Sequence, residues 1–517
     1  MDFLKRFTIQ SSSPADNTPD PYADDDIYPV HVLDDTKALR SMLITCTFCF
    51  NNVLDVDKLQ SSLAKLLEMG DWRKLGGRLR LKANGKLEIH VPRAFTPSRP
   101  AFSYTHDSIN TSIQDHELTR KLPLSPDGSI KISPGPTDFN DLAASPSAPA
   151  TIEDLLSGDV PQISVHITSF TNATFVGLTW PHTLMDIIGQ AALLQAWSRL
   201  LAGRDAEVPP VLDAQEDKLT ALTNKATDAA EEYALKSKQL KGLSFVKFGA
   251  RLAWDILTGT KPVTKTIYLP KSVMGKLRVR AEADLFASSN NDDNDNDDTI
   301  GEKEKPFISD GDILTAFTLD CIASSLPTPR QITALYPINS RFRLPSLINA
   351  KGVFLSNMSI PGFTFLGPAM STGSLGQIAL YNRQRLLEQA TEAQILAILR
   401  EQLMSGDPSA LYSDADALLV VFTDWTKAKN FSAIDFSPAV IRAGGDGRTG
   451  EENGSDSKRY NPPGTPVFYH ASTRRPNPAA RLLVNILGRD YSGGYWLTLT
   501  MSPGAWDKVE EGLKELS

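Results

Sequence analysis

The chain has 517 residues, 41% of them apolar and 22% charged, with a formal net charge of −8. That length exceeds one comfortable hydrophobic core and predicts two or three globular domains. The acidic balance, with no basic stripe carrying interleaved aromatics, argues against a general affinity for nucleic acid or anionic membrane, and three cysteines make no disulfide framework.

Residues 1–26, rich in Ser, Pro and Asp after position 9, read as a flexible lead-in. The start lacks the apolar stretch of a signal peptide, and no run of 18 apolar residues occurs, so the expectation is a cytoplasmic protein with no transmembrane segment. Leu43 to Phe50 reads as a buried strand. It carries Cys46 and Cys49 at CxxC spacing, but no second pair completes a zinc site. A helix is predicted near 56–69 from Val56, Leu59, Leu63, Leu66 and Leu67, and Asn84-Gly85 between two alternating runs predicts a hairpin.

Ile163 to Ile167 and Thr174 to Leu178 alternate as strands, and Pro181 ends the second. Ile187 to Leu201 reads as a helix with Ala192, Leu193, Ala196, Trp197 and Leu200 on its apolar side. From about 213 to 240 an Ala, Lys, Glu and Gln-rich stretch predicts exposed helix joining two halves. Leu243 to Leu257 is more apolar, with Lys241, Lys247 and Arg251 on or beside it. It is expected to pack against its own protein, with a membrane-surface helix as the alternative.

Residues 288–305 hold an Asn/Asp block that predicts disorder. Asp293, Asp295 and Asp297 have calcium-loop spacing but lack the central Gly and the closing Glu. A second polar insertion covers 443–464. Helices are expected at 310–325 and 374–403, and strands at 332–338, 352–359, 417–422, 479–487 and 494–501. Strands and helices mix in both halves, which gives an α/β (α+β) class. No phosphate loop, dinucleotide fingerprint or serine-hydrolase elbow is present.

His182, four residues before Asp186, stands where a strand gives way to a helix. Imidazole suits proton transfer near neutral pH, and a carboxylate at the start of a helix is electrostatically welcome. The spacing alone also fits a His closing a strand and an Asp capping a helix. The other six histidines have no spaced partner, so no metal centre is expected.

Several motifs stand in order along the chain. They are Leu75-Gly76-Gly77-Arg78-Leu79, Pro181-His182-Thr183-Leu184-Met185-Asp186, Ser309-Asp310-Gly311-Asp312, Asn339-Ser340-Arg341-Phe342-Arg343, Gly352 with Asn357, Thr423-Asp424-Trp425 and Asp435-Phe436. Over roughly residues 27–510 this series resembles the BAHD-type acyltransferases, in particular their fungal branch. Two departures stand out: the chain continues Asp186-Ile187-Ile188-Gly189 where the family has Gly after Asp, and Asp435-Phe436-Ser437-Pro438-Ala439 lacks the glycines and tryptophan of the family's late element.

The resemblance implies two similar chloramphenicol-acetyltransferase-like domains, 27–212 and 263–517, joined by a crossover at 213–262. Each is a mixed sheet flanked by helices, with an active-site tunnel between them. It implies acyl-CoA as co-substrate with no bound cofactor, a small apolar metabolite alcohol as acceptor, and a monomer. His182 is the implied general base. Asp186 pairs with Arg341 as structural support, Asp435 shares that arginine, and Thr423 and Trp425 line the acyl or substrate space. Two competitors remain: a carrier-protein-dependent condensation enzyme, and a drifted relative that binds a small molecule without acyl transfer.

Overall fold

The computed structural model describes residues 22–123, 128–225, 231–291, 306–405, 410–444, 461–475 and 480–516. Most of the lead-in, the acidic block from 292 to 305 and the centre of the second insertion therefore lie outside the described residues.

Two large sheets organise the molecule. The first runs in the spatial order Phe468–Thr473, Leu43–Phe50, Thr174–Pro181, Ser164–Ser169 and Ser103–Ser108. Its two central strands are buried along their whole length, which explains why Leu43–Phe50 reads as a continuous apolar run. Cys46 and Cys49 are buried, free thiols within it. Gly177 permits a close approach, because a Cβ there would lie 1.9 Å from the Ala143 carbonyl oxygen.

The second sheet has seven strands: Ser359–Leu366, Ile332–Asn339, Leu418–Asp424, Leu483–Arg489, Tyr495–Met501, Val263–Leu269 and Lys131–Pro134. Each sheet takes one strand from the far part of the chain. Phe468–Thr473 pairs with Leu43–Phe50, and Lys131–Pro134 pairs with Val263–Leu269. The hairpin at Asn84-Gly85 forms as expected, with Leu81 opposite Leu87 and Gly85 at φ +78°.

Several expected elements differ. Of the exposed helix expected over 213–240, the described residues form only the helix Lys218–Lys225 and a short turn at Lys236–Lys238, and Asp213, Leu219 and Tyr233 are buried. The helix expected over 374–403 is two helices, Leu375–Gln389 and Glu392–Ser405, because the Thr391 hydroxyl accepts from the Gln394 N–H and starts the second helix afresh. The strand expected at 352–359 begins only at Ser359. Upstream of it, carboxylates take the backbone donors that a ladder would have used: Asp213 accepts from Leu355 and Ser356, and Asp34 from Asn357.

Candidate active site

The strand Thr174–Pro181 ends in a turn fixed from both sides. The Trp180 indole donates to the Met185 carbonyl at 3.0 Å, and the His182 N–H to Met42 at 2.8 Å. Asp186 then caps the helix Ile187–Leu201, accepting from the Ile188 and Gly189 N–H groups at 3.1 and 2.9 Å. This short path from strand to cap turns His182 into a cavity of about 680 Å³.

The cavity lies between the two sheets. The His182 side contributes Leu39, Trp180 and Ile188, and the other side contributes Tyr336, Thr423 and Trp425. Thr423 and Trp425 line the same cavity as His182. The imidazole is partly buried, and Nδ1 is shielded with no hydrogen-bond partner. Burial pushes its pKa below 6.5, against smaller upward pulls from its own carbonyl, the Asp186 carboxylate and Asn357. A neutral imidazole at neutral pH can accept a proton.

Asp186 points away from the imidazole. Its second oxygen takes the Arg341 guanidinium at 2.6 Å, and both side chains are buried. Arg341 also donates to the Phe354 and Ser356 carbonyls. Gly189 makes this closeness possible, since a Cβ there would lie 2.2 Å from the Leu355 carbonyl oxygen. The glycine that admits the facing loop therefore stands three residues after Asp186.

Asp435 does not share Arg341, contrary to the expectation from motif order. Its N–H donates to the Ser198 hydroxyl at 3.0 Å, and its exposed carboxylate accepts from Ser437. Ser198 lies twelve residues along the helix from Asp186, about 18 Å of axial rise, so one arginine does not span both.

Asn357, part of the motif series, connects His182 to acids that no motif announces. The Asn357 amide donates to the His182 carbonyl at 2.8 Å and to Asp34 at 2.7 Å. Asp34 and Asp213 are buried, with the Lys74 ammonium acting on both from nearby. Burial raises the Asp34 pKa, and Lys74 and Asn357 oppose that rise. The backbone of His182 is thereby tied, through Asn357, to the buried carboxyl group of Asp34.

A second cleft, of about 670 Å³, shares Phe342 and Lys427 with the cavity and is lined also by Arg199, Arg204 and Lys429. Lys429 has φ +53°, the one non-glycine residue in the left-handed region among the described residues. No cluster of metal-ligating side chains occurs among the described residues, and no helix there is long and apolar enough to cross a membrane.

No family model matches the chain. Among solved structures, the fold is similar to TRI101 of F. sporotrichioides complexed with coenzyme A and T-2. The TM-score is 0.63 at 12% identity, covering 95% of this chain and 98% of that one. The two helix-flanked mixed sheets define the chloramphenicol-acetyltransferase-like class of acyltransferase fold. O-acetyltransferase PaAT-2 of Phomopsis amygdali is 37% identical over 502 residues, 95% of this chain and 98% of its own. Acetyltransferase BOT5 of Botryotinia fuckeliana is 35% identical over 511 residues, covering 95% and 91%. The chain belongs to the fungal BAHD-type acyltransferases, and it is an acyltransferase.

Proposed function

We propose that the enzyme transfers an acetyl or other short acyl group from acyl-CoA to a hydroxyl of a small, largely apolar secondary metabolite, with His182 as general base. The observation that carries the reading is a neutral imidazole on the wall of the cavity between the two sheets, with Asp186 engaged by Arg341 instead.

In this reading His182 removes the hydroxyl proton as the oxygen attacks the thioester carbonyl. The tetrahedral intermediate collapses, the C–S bond breaks, and His182 returns the proton to the departing CoA thiolate. No acyl-enzyme forms. Asp186 and Arg341 act as frame, and Thr423 and Trp425 line the acyl or acceptor space. Arg199, Arg204, Lys427 and Lys429 outnumber Glu207 and Asp435 in the adjoining cleft and give it the positive charge that suits the CoA phosphates, although Arg204 is paired with Glu207. The parts at 27–212 and 263–517 are the two domains, each lending a strand to the other. The enzyme works as a cytoplasmic monomer.

The test is mass spectrometry of a metabolite panel incubated with acetyl-CoA and longer acyl-CoAs. His182→Ala should lower turnover by about 10²–10⁴-fold while the protein stays folded. No acyl shift with any donor, or an undiminished mutant, refutes the proposal. Since burial lowers the His182 pKa, the imidazole takes up its proton only at a pH below its ordinary value of 6.5, so the acid limb of kcat/KM should have its midpoint under 6.5. A midpoint above 6.5 would point to another base.

A further inference from the structure

The helix Gly242–Thr258 does not behave as the sequence led one to expect. Only Phe248 is buried along its length. Leu252 and Ile256 are half-buried beside it, and Asp255 pairs with Arg330 at 2.8 Å, so this side fixes the helix to the protein. Outside that contact lies a second apolar face. Leu243, Val246, Trp254 and Leu257 are 88%, 64%, 60% and 82% exposed. With Ala250 they recur at spacings of three and four and fall within about 80° of arc. Lys247 and Arg251 border this stripe on one side.

Single exposed apolar residues are ordinary, but a continuous stripe on one helix marks a contact surface. We infer that this face docks on an anionic phospholipid bilayer, with the helix lying in the plane of the interface. Between residues 236 and 265 the chain has seven basic residues, Lys236, Lys238, Lys241, Lys247, Arg251, Lys261 and Lys265, against the single acid Asp255. Neighbouring segments partly offset them. Lys236 pairs with Glu232 and Glu401, Lys238 with Asp414, Lys247 with Asp416, Arg251 with Asp255, and Lys265 with Glu510.

The two pairs bordering the stripe are long, at 3.6 Å for Lys247 and 3.4 Å for Arg251, and Lys247 and Asp416 are both mostly exposed. Such pairs hold little energy, so both cations can turn to lipid phosphates. Trp254 has the amphipathic ring suited to the headgroup boundary. A second copy fits less well, because a twofold contact would bring Lys247 and Arg251 against themselves. The net charge of −8 hides this site because it averages over the whole chain.

The start of the helix, though not the stripe itself, is tied to the cavity wall. The Leu240 N–H, just before the helix, donates to the carbonyl of Leu411, which lines the cavity wall. An apolar acceptor dissolved in the bilayer would be presented beside the reaction space. That consequence rests on the acyl-transfer reading, whereas membrane docking does not.

The test is co-sedimentation of the full chain with vesicles of phosphatidylcholine alone and of phosphatidylcholine with phosphatidylserine, alongside its mass in solution. Binding should require phosphatidylserine, and Trp254→Glu with Leu257→Glu should weaken it by about tenfold or more at unchanged circular dichroism. Lys247→Ala and Arg251→Ala should each weaken it by about fivefold. The proposal is overturned if the parent stays in the supernatant with both vesicles, or if the charged variant binds as well as the parent. It is equally overturned if the parent is a dimer that the charged variant splits. Because vesicle binding needs no turnover, its outcome is separate from that of the activity assay.

Discussion

The two ends of the helix Ile187–Leu201 are built in opposite ways. At its start, Asp186, Arg341, Asp213, Asn357 and Asp34 form a buried polar frame in which both oxygens of Asp186 and of Asp213 are engaged. At its far end, Asp435 is exposed and touches Ser198 through its backbone, beside a cleft lined by four basic residues. His182, the base of the proposed mechanism, sits by the closed end. A long, flexible, charged co-substrate suits the open one.

Breaking the closed end should have the largest effect. Arg341→Met leaves the Asp186 carboxylate buried with three backbone donors, from Ile188, Gly189 and Met358, and no cation, at a cost of about 3–5 kcal/mol read in chemical unfolding. A loss below about 1 kcal/mol would show that the pair is not structural. The reverse change, Asp186→Asn, keeps a cap acceptor for Ile188 and Gly189 and should cost less than Arg341→Met.

Next in size is the link behind the imidazole. Asn357→Ala removes the bond to the His182 carbonyl and takes a donor from Asp34. Small displacements of a reacting group are costly, so kcat should fall about ten- to hundredfold with KM changing much less. Asp34→Asn should produce a milder version of the same split. A KM effect without a kcat effect would mean that Asn357 binds substrate instead.

This closed frame shows how far sequence reaches. The helix Ile187–Leu201 and the strand before His182 are legible because periodicity is local, and both form with the expected residues. The Asp186–Arg341 pair spans 155 positions and was reached only through the order of family motifs. Asp34 and Asp213 were missed altogether. Each is an isolated acid in an irregular segment, and their partners lie 323 and 142 residues away. The missed loop at 352–358 has the same cause, since strand-like residues there give their N–H groups to those two carboxylates. Nothing in local pattern signals that competition.

The open end should respond to charge more than to packing. Lys427→Glu should raise KM for acyl-CoA by about fivefold, with kcat little changed and the effect shrinking in high salt. A salt-independent change would assign Lys427 to shape rather than to phosphate attraction.

The smallest effect is expected at Asp435 itself, and it tests the comparison most sharply. The element Asp435-Phe436-Ser437-Pro438-Ala439 lacks the family's glycines, yet it is tightly held. Phe436 packs against Phe50 and Trp197 at ring distances of 5.3 and 4.8 Å, and the Ala439 carbonyl accepts from Asp55 at 2.7 Å. The close approach is supplied from another segment: Gly464, at φ +74°, would place a Cβ 2.1 Å from the Ser437 nitrogen, so no side chain fits there. Packing, not the Asp435 carboxylate, therefore holds the element. Asp435→Asn keeps the acceptor for Ser437 and should change stability by less than about 0.5 kcal/mol, with turnover near the parent's. Gly464→Ala should be the damaging change, through both the clash and the left-handed backbone. If Asp435→Asn instead matched Arg341→Met in unfolding, the carboxylate would belong to the buried frame, and the contrast between the two ends would fail.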